Sequence, residues 1–224
     1  MSDPCQPILE ALESQGGLYG RPVTHRVYAA RHPTPRSRRR IWWWPELRRE
    51  AHVLELGSGA GAFERATRDL GWTCDMIEPR HGNGAVTAET WARSDPPSSR
   101  YDAAFAWQVV EHLIDPWLVC RAVRKALIPA GYFVLSVPST RSLEHLLAGR
   151  NWEGYFPRDG GIHRWAFSPR TIQWMLGACG FTRVRVLHQR VVKHTNLPPW
   201  ATFALGSVLA ALHCSGRITV VARP

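Results

Sequence analysis

The sequence predicts an α/β fold in which a mostly parallel sheet is covered by helices on both faces. Three observations carry this expectation. From Val53 to Ala222, short apolar runs suited to buried strands alternate with segments of helical period. The first run ends in a glycine-rich turn, Glu55-Leu56-Gly57-Ser58-Gly59-Ala60-Gly61. Two later helices begin with an oxygen-bearing cap followed by proline, at Asp115-Pro116 and Ser168-Pro169.

Residues 1–50 read as an N-terminal extension or cap and residues 51–224 as the α/β domain. Within the extension, a turn-rich stretch leads into a segment from Arg36 to Trp44 that holds Arg38, Arg39, Arg40, Trp42 and Trp43. It suits a lid, an anchor among lipid headgroups (a peripheral membrane contact), or a helix or loop packed across the sheet edge.

The first strand is expected at 51–56. A helix follows at 60–70, with Phe63, Ala66 and Leu70 on one face and Gly71 as its stop. A second strand covers 72–78. The run Ala85-Val86-Thr87-Ala88 reads as a third strand, with its helix shortened to Glu89–Ala92. Tyr101–Trp107 is a strand. Asp115-Pro116 opens a helix whose stripe is Leu118, Val119, Ala122, Val123, Ala126 and Leu127. Pro129-Ala130-Gly131 then turns into a strand at Tyr132–Val137. A helix at Ser142–Ala148 and an aromatic loop at Asn151–Trp165 come next. The helix from Ser168-Pro169 runs to Cys179 and stops at Gly180. A strand at Phe181–Gln189, a helix at Trp200–His213 and a last strand at Arg217–Ala222 complete the chain.

The 224 residues suffice for one domain with a sizeable core. The net charge of +10 admits an anionic partner, or a general bias toward arginine, since Lys125 and Lys193 are the only lysines among 28 basic residues. Five scattered cysteines form no Cys-x-x-Cys pair, which argues against a disulfide framework or a zinc site and for a reducing cytoplasm. No signal peptide is visible. The apolar stretch Trp200–Leu212 falls short of the roughly 20 residues a bilayer-spanning helix needs.

The glycine turn has a physical job. Gly57 and Gly59 can take positive φ and let a ligand lie against the backbone, and the following helix directs its first N–H groups at that ligand. Glu78 ends the second strand, where a carboxylate can accept ribose hydroxyls. A dinucleotide and an adenosyl ligand both fit these residues.

The rest of the chain decides between them. Glu55-x-Gly57-x-Gly59-x-Gly61 resembles the first motif of the class I S-adenosylmethionine (SAM) methyltransferases. Tyr101–Phe105 followed by Gln108-Val109-Val110-Glu111-His112-Leu113-Ile114-Asp115-Pro116 resembles the fourth motif of a common subgroup, similar to the ubiquinone-biosynthesis O-methyltransferases. Ala126–Pro138, His163, Phe167-Ser168 and Gly180-Phe181 follow in that subgroup's order. The resemblance covers about residues 50–190 and the last strand. It implies a Rossmann-like, seven-stranded, mostly parallel sheet whose last strand is antiparallel. It also implies SAM as cofactor and a methyltransferase activity. By this likeness Glu55, Gly57, Ser58, Gly59 and Gly61 hold the methionine part, Glu78 and Pro79 the ribose, Ala88 and Glu89 the adenine, and Gln108 the methionyl part or the substrate.

The resemblance further implies an acceptor site in the aromatic loop, with His112, Trp152, Tyr155 and Trp165 facing a small-molecule acceptor and His163 as base. Phe156 would add to the same apolar wall. A histidine with a pKa of about 6.5 can take a hydroxyl proton during methylation. Each residue also has a plainer role: a loop-fixing hydrogen bond for His163, a hydrophobic cover for the aromatic rings, a capping acid at Glu55. Some relatives bind a divalent ion through Glu-x-x-Glu-His. Here Gln108 replaces the first acid and removes a charged oxygen ligand, so no metal is expected, and Glu111, His112 and His163 are the only ligands such an ion would find. The expected reaction is methyl transfer to a hydroxyl of a quinone, polyketide, sugar or lipid-like compound. The alternatives are RNA 2′-O-methylation, which the basic charge favours and the missing acid at 108 disfavours, and a non-catalytic scaffold that binds a membrane or protein.

Overall fold

The computed structural model describes residues 47, 50–58, 63–64, 67, 71–78, 86–152, 154–155, 163–189 and 198–224. The basic and aromatic Arg36–Trp44 segment lies outside them, as do Gly59, Gly61, Pro79 and Phe156.

Six strands form one sheet: β1 His52–Leu56, β2 Thr73–Ile77, β3 Tyr101–Trp107, β4 Leu127–Pro138, β5 Thr182–His188 and β6 Arg217–Arg223. Their order across the sheet is β2-β1-β3-β4-β6-β5. β2, β1, β3 and β4 pair in parallel, and β6 runs antiparallel to both β4 and β5. The last strand thus has the expected direction. The helices are α1 Ala88–Arg93, α2 Pro116–Ala126, α3 Leu143–Ala148, α4 Pro169–Ala178 and α5 Pro199–Ala211. Phe63, Glu64 and Thr67 are helical too, in the segment after the glycine turn.

The expected seventh strand is absent among the described residues. Val86 and Thr87 are not in a strand, and Ala88 begins α1. The Thr87 hydroxyl accepts the Thr90 backbone N–H at 3.0 Å. A β-branched residue that favours strand by propensity therefore serves as a helix cap, which the four-residue apolar run could not reveal. A second difference lies in β4. Leu127 pairs with Tyr101, but the next partners are Tyr132 and Ala103. The Pro129-Ala130-Gly131 turn is a bulge inside a longer strand.

Side chains alternate between two apolar layers, as strand geometry requires. Leu54, Leu56, Ala104, Ala106, Phe133 and Leu135 face α2 and α4, while Val53, Ala103, Phe105, Val134 and Val221 face Phe63. Burial of each Val, Leu or Phe there contributes about 1.5–3 kcal/mol. Asp115 caps α2 by accepting the Leu118 N–H at 2.9 Å. Ser168 and Thr171 form a reciprocal capping box on α4. Cys120 and Cys179 are buried thiols of this core. No helix among the described residues is long and apolar enough to cross a membrane.

Candidate active site at the carboxyl ends of the strands

β1 ends by delivering Glu55, Gly57 and Ser58 to one edge of the sheet. Glu55 is 2% exposed, and its Oε2 meets no hydrogen-bond partner among the described residues. Burial, and then the nearby carboxylates of Glu64 and Glu78, push its pKa up to about 8, against a weaker opposing bond from the Glu64 backbone. Cys74 lies in the same pocket of negative charge, where burial and Glu55 push its thiol up to about 12. The site therefore holds an acid that a bound cation would readily ionise.

Gly57 has φ +71°, and its N–H donates to the Ile77 carbonyl at 2.8 Å. That bond ties the glycine turn to the end of β2, immediately before Glu78. The Ser58 hydroxyl is buried and has no partner within the described chain. A half-open backbone turn, an unpartnered buried hydroxyl and a buried acid suit the amino, carboxyl and sulfonium groups of SAM. Gly59, Gly61 and Pro79 belong to the same expectation and lie outside the described residues.

The other expected cofactor residues are placed as follows. Ala88 is buried at the start of α1. Glu89 accepts the Ile114 N–H at 2.9 Å, so this acid braces the segment after β3. Gln108 adopts φ +57°, a left-handed conformation costly for a residue with a Cβ. Its N–H donates to the Ser136 carbonyl at 3.0 Å and its Nε2 to the Ser136 hydroxyl at 3.3 Å. These bonds hold the strained turn against the end of β4.

Beyond Gln108, one turn of 3₁₀ helix spans Val110–His112. Its Glu111 is fully buried. The Glu111 carbonyl accepts the N–H groups of Arg164 and Trp165, at 2.8 and 3.1 Å. That clamp brings His163 to His112, with ring centroids 4.6 Å apart. One ligand atom each from Glu111, His112 and His163 lies within 4.8 Å of the others. Adjacent residues on a helical turn point in different directions, yet Glu111 and His112 both reach this cluster because the loop returns to them. The donor set, one carboxylate and two imidazoles, fits a borderline divalent cation.

His163 is fixed by its other nitrogen, with Nδ1 2.6 Å from the Gly154 carbonyl. Gly154 lies against the Trp152 ring, where a Cβ would come within 2.3 Å. Trp152 is 3% exposed and meets His145 and Tyr155 edge-on, at 4.8 and 5.2 Å. Trp165 packs on Trp117 at 5.0 Å and donates its Nε1–H to the Leu113 carbonyl at 2.8 Å. Trp152 is thus packed into the loop's own cover beside His145, while Tyr155 and Trp165 are each half-buried. Sequence reasoning missed His145, whose Nε2 is 3.0 Å from the Tyr155 hydroxyl. A histidine inside a short apolar helix carries no local signal of that partnership.

Comparison with known proteins bears on the family and the fold. A methyltransferase-domain family model matches residues 25–186. The chain is 26% identical over 148 residues to a ubiquinone biosynthesis O-methyltransferase of Azorhizobium caulinodans, and spans 58% of that relative's length and 58% of its own. A SAM-dependent methyltransferase from Archaeoglobus fulgidus has a similar fold, with a TM-score of 0.57 at 16% identity, covering 95% of this chain and 97% of its own. Another from Mesorhizobium loti gives a TM-score of 0.56 at 18% identity, covering 81% and 94%. With its glycine turn, its acids at the ends of β1 and β2 and a family match across most of its length, the chain belongs to the class I SAM-dependent methyltransferases.

Proposed function

We propose that this methyltransferase moves the methyl group of SAM to a hydroxyl of a small lipophilic or aromatic acceptor. The observation that carries the reading is the meeting of His112, in the segment after β3 beside buried Glu111, with His163 from the loop before α4. A hydroxyl is poorly nucleophilic until its proton leaves, and this cluster supplies an imidazole to take it. The relative named as an O-methyltransferase supports the same class.

SAM supplies an activated methyl group on a sulfonium. The chain's work is alignment, desolvation and proton removal. Gly57, Ser58, Gly59 and Gly61 would hold the amino-acid end of the cofactor, Glu78 and Pro79 the ribose, and Ala88 and Glu89 the adenine, with Glu55 answering the ligand's positive charge. Gln108 would serve the methionyl part or the acceptor. His163 donates Nδ1–H to Gly154, so its Nε2 carries the lone pair and receives the acceptor's proton. Tyr155, with Trp152 edge-on against it, would form the apolar wall against the acceptor, while Trp165 packs on Trp117.

The test is calorimetric titration with SAM, followed by turnover with a panel of hydroxylated aromatics. Micromolar binding and methyl ether products are expected. SAM binding with products only on amines would overturn the hydroxyl assignment. Turnover only on RNA would move the assignment to 2′-O-methylation. A second reading, favoured by the 4.8 Å spread of ligand atoms, is that Glu111, His112 and His163 hold a divalent cation.

A further inference from the structure

Two histidines in this half of the molecule are oriented in the same way. His145 Nδ1 lies 2.7 Å from the Thr140 carbonyl, and His163 Nδ1 lies 2.6 Å from the Gly154 carbonyl. A carbonyl oxygen only accepts, so each Nδ1 carries the proton and each neutral ring bears its lone pair on Nε2. At His145 that nitrogen accepts the Tyr155 hydroxyl at 3.0 Å.

Tyr155 is joined to Gly154 by the peptide bond. Its own N–H donates to the Trp152 carbonyl at 2.9 Å, and the Trp152 N–H donates to Gly149 at 3.2 Å. The Trp152 ring fills the space beside Gly154. The Gly154 carbonyl is therefore held on one side by a tight turn and on the other by the Tyr155–His145 bond. The anchor of that bond is Thr140, whose N–H donates to the Phe167 carbonyl at 2.8 Å, close behind β4. An unbroken series of contacts runs from the end of β4 to the ring of His163.

We propose that His145 and Tyr155 are positioning residues for His163. Their bond holds the Gly154 carbonyl where it selects the Nδ1–H tautomer of His163, which puts the ring's lone pair on Nε2. The use of that tautomer in the reaction rests on the reading that His163 takes the acceptor's proton. The tautomer itself can be observed without any acceptor. A His145–Tyr155 bond that merely stabilised the loop would leave the tautomer of His163 unchanged when removed.

The test uses nitrogen-15 NMR of the histidine rings in the full chain, at a pH where the rings are neutral and after chelation of metals. A His163→Asn variant assigns the signal. Wild type is expected to show one His163 tautomer, protonated at Nδ1. Tyr155→Phe and His145→Gln are each expected to show the Nε2–H tautomer appearing, with SAM affinity within about threefold of wild type, since among the described residues no hydrogen bond or ring contact joins either one to Gly57 or Ser58. Retention of the wild-type tautomer in both variants overturns the proposal, as does a mixed tautomer in wild type. Loss of SAM binding in both variants, with wild type binding normally, also overturns it, because the pair would then be supporting the fold. Failure of wild type to bind SAM would refute the cofactor assignment and leave the tautomer readout intact.

Discussion

A Cβ added to Gly57 would lie 2.4 Å from Cγ2 of Val109. The turn after β1 and the segment after β3 therefore share a wall with no room for a methyl group. Gly57 also holds φ +71°, so a side chain there is strained twice over. Gly57→Ala is expected to cost about 1–3 kcal/mol of stability and to weaken SAM binding at least tenfold. Adding Val109→Ala should recover the steric part and leave the backbone part. Thermal unfolding and calorimetry on the two single variants and the double variant separate the two contributions.

The raised pKa of Glu55 sets a pH dependence. An unfolded chain holds this carboxyl near 4.5 and the folded chain near 8. Between those values the folded state keeps a proton that the unfolded state has lost, so this group's contribution to stability falls as pH rises through that window. The full effect is on the order of a few kcal/mol. Denaturant unfolding at pH 6 and pH 8 should show the decline, and Glu55→Gln should flatten it. SAM is cationic and favours ionised Glu55, so binding below pH 8 should release a proton. Titration in buffers of different ionisation enthalpy reads that release directly.

On the second reading, the histidine cluster binds one divalent ion. Two imidazoles and one carboxylate favour Zn²⁺ or Mn²⁺ over Mg²⁺, and Gln108 in place of an acid sharpens that order. Equilibrium dialysis should find about one ion per chain, and His112→Ala should lower affinity at least tenfold. Equal binding of Mg²⁺, or unchanged binding in the variant, would remove the metal reading.

Ser168→Ala removes the reciprocal cap of α4 and should cost about 1 kcal/mol without altering SAM affinity. Chemical denaturation measures the first quantity and calorimetry the second.

Features encoded locally are legible in the sequence. Asp115-Pro116 and Ser168-Pro169 start helices because cap and proline act within one turn, and both helices begin where the sequence places them. Glu55 and the glycine turn stand at the end of β1 for the same reason. A strand expected from Ala85-Val86-Thr87-Ala88 is not found at residues 86–88, because a four-residue apolar run has no period of its own and the Thr87 hydroxyl caps α1 instead. The bulge in β4 depends on which residues Tyr101 and Ala103 find across the sheet, and nothing in Leu127–Gly131 alone encodes that choice. His112 and His163 could be matched as a pattern. Their contact depends on the Glu111 carbonyl clamping Arg164 and Trp165, a pairing between distant parts of the chain. The His145–Tyr155 bond spans 10 residues, but it too depends on how the loop folds back.

The place of β6 has a consequence for how the protein is made. It is the last of the six strands along the chain, yet it lies between β4 and β5 and bonds to both. Until it leaves the ribosome, β4 has an open edge and β5 has no neighbour among the described strands. The nascent chain thus carries two unzipped borders from the making of β5 until β6 joins it, and the sheet becomes continuous only when β6 slides between them. A chain stalled between β5 and β6 would present those borders to its neighbours, so chaperone demand should rise once β5 is made and fall once β6 is in place.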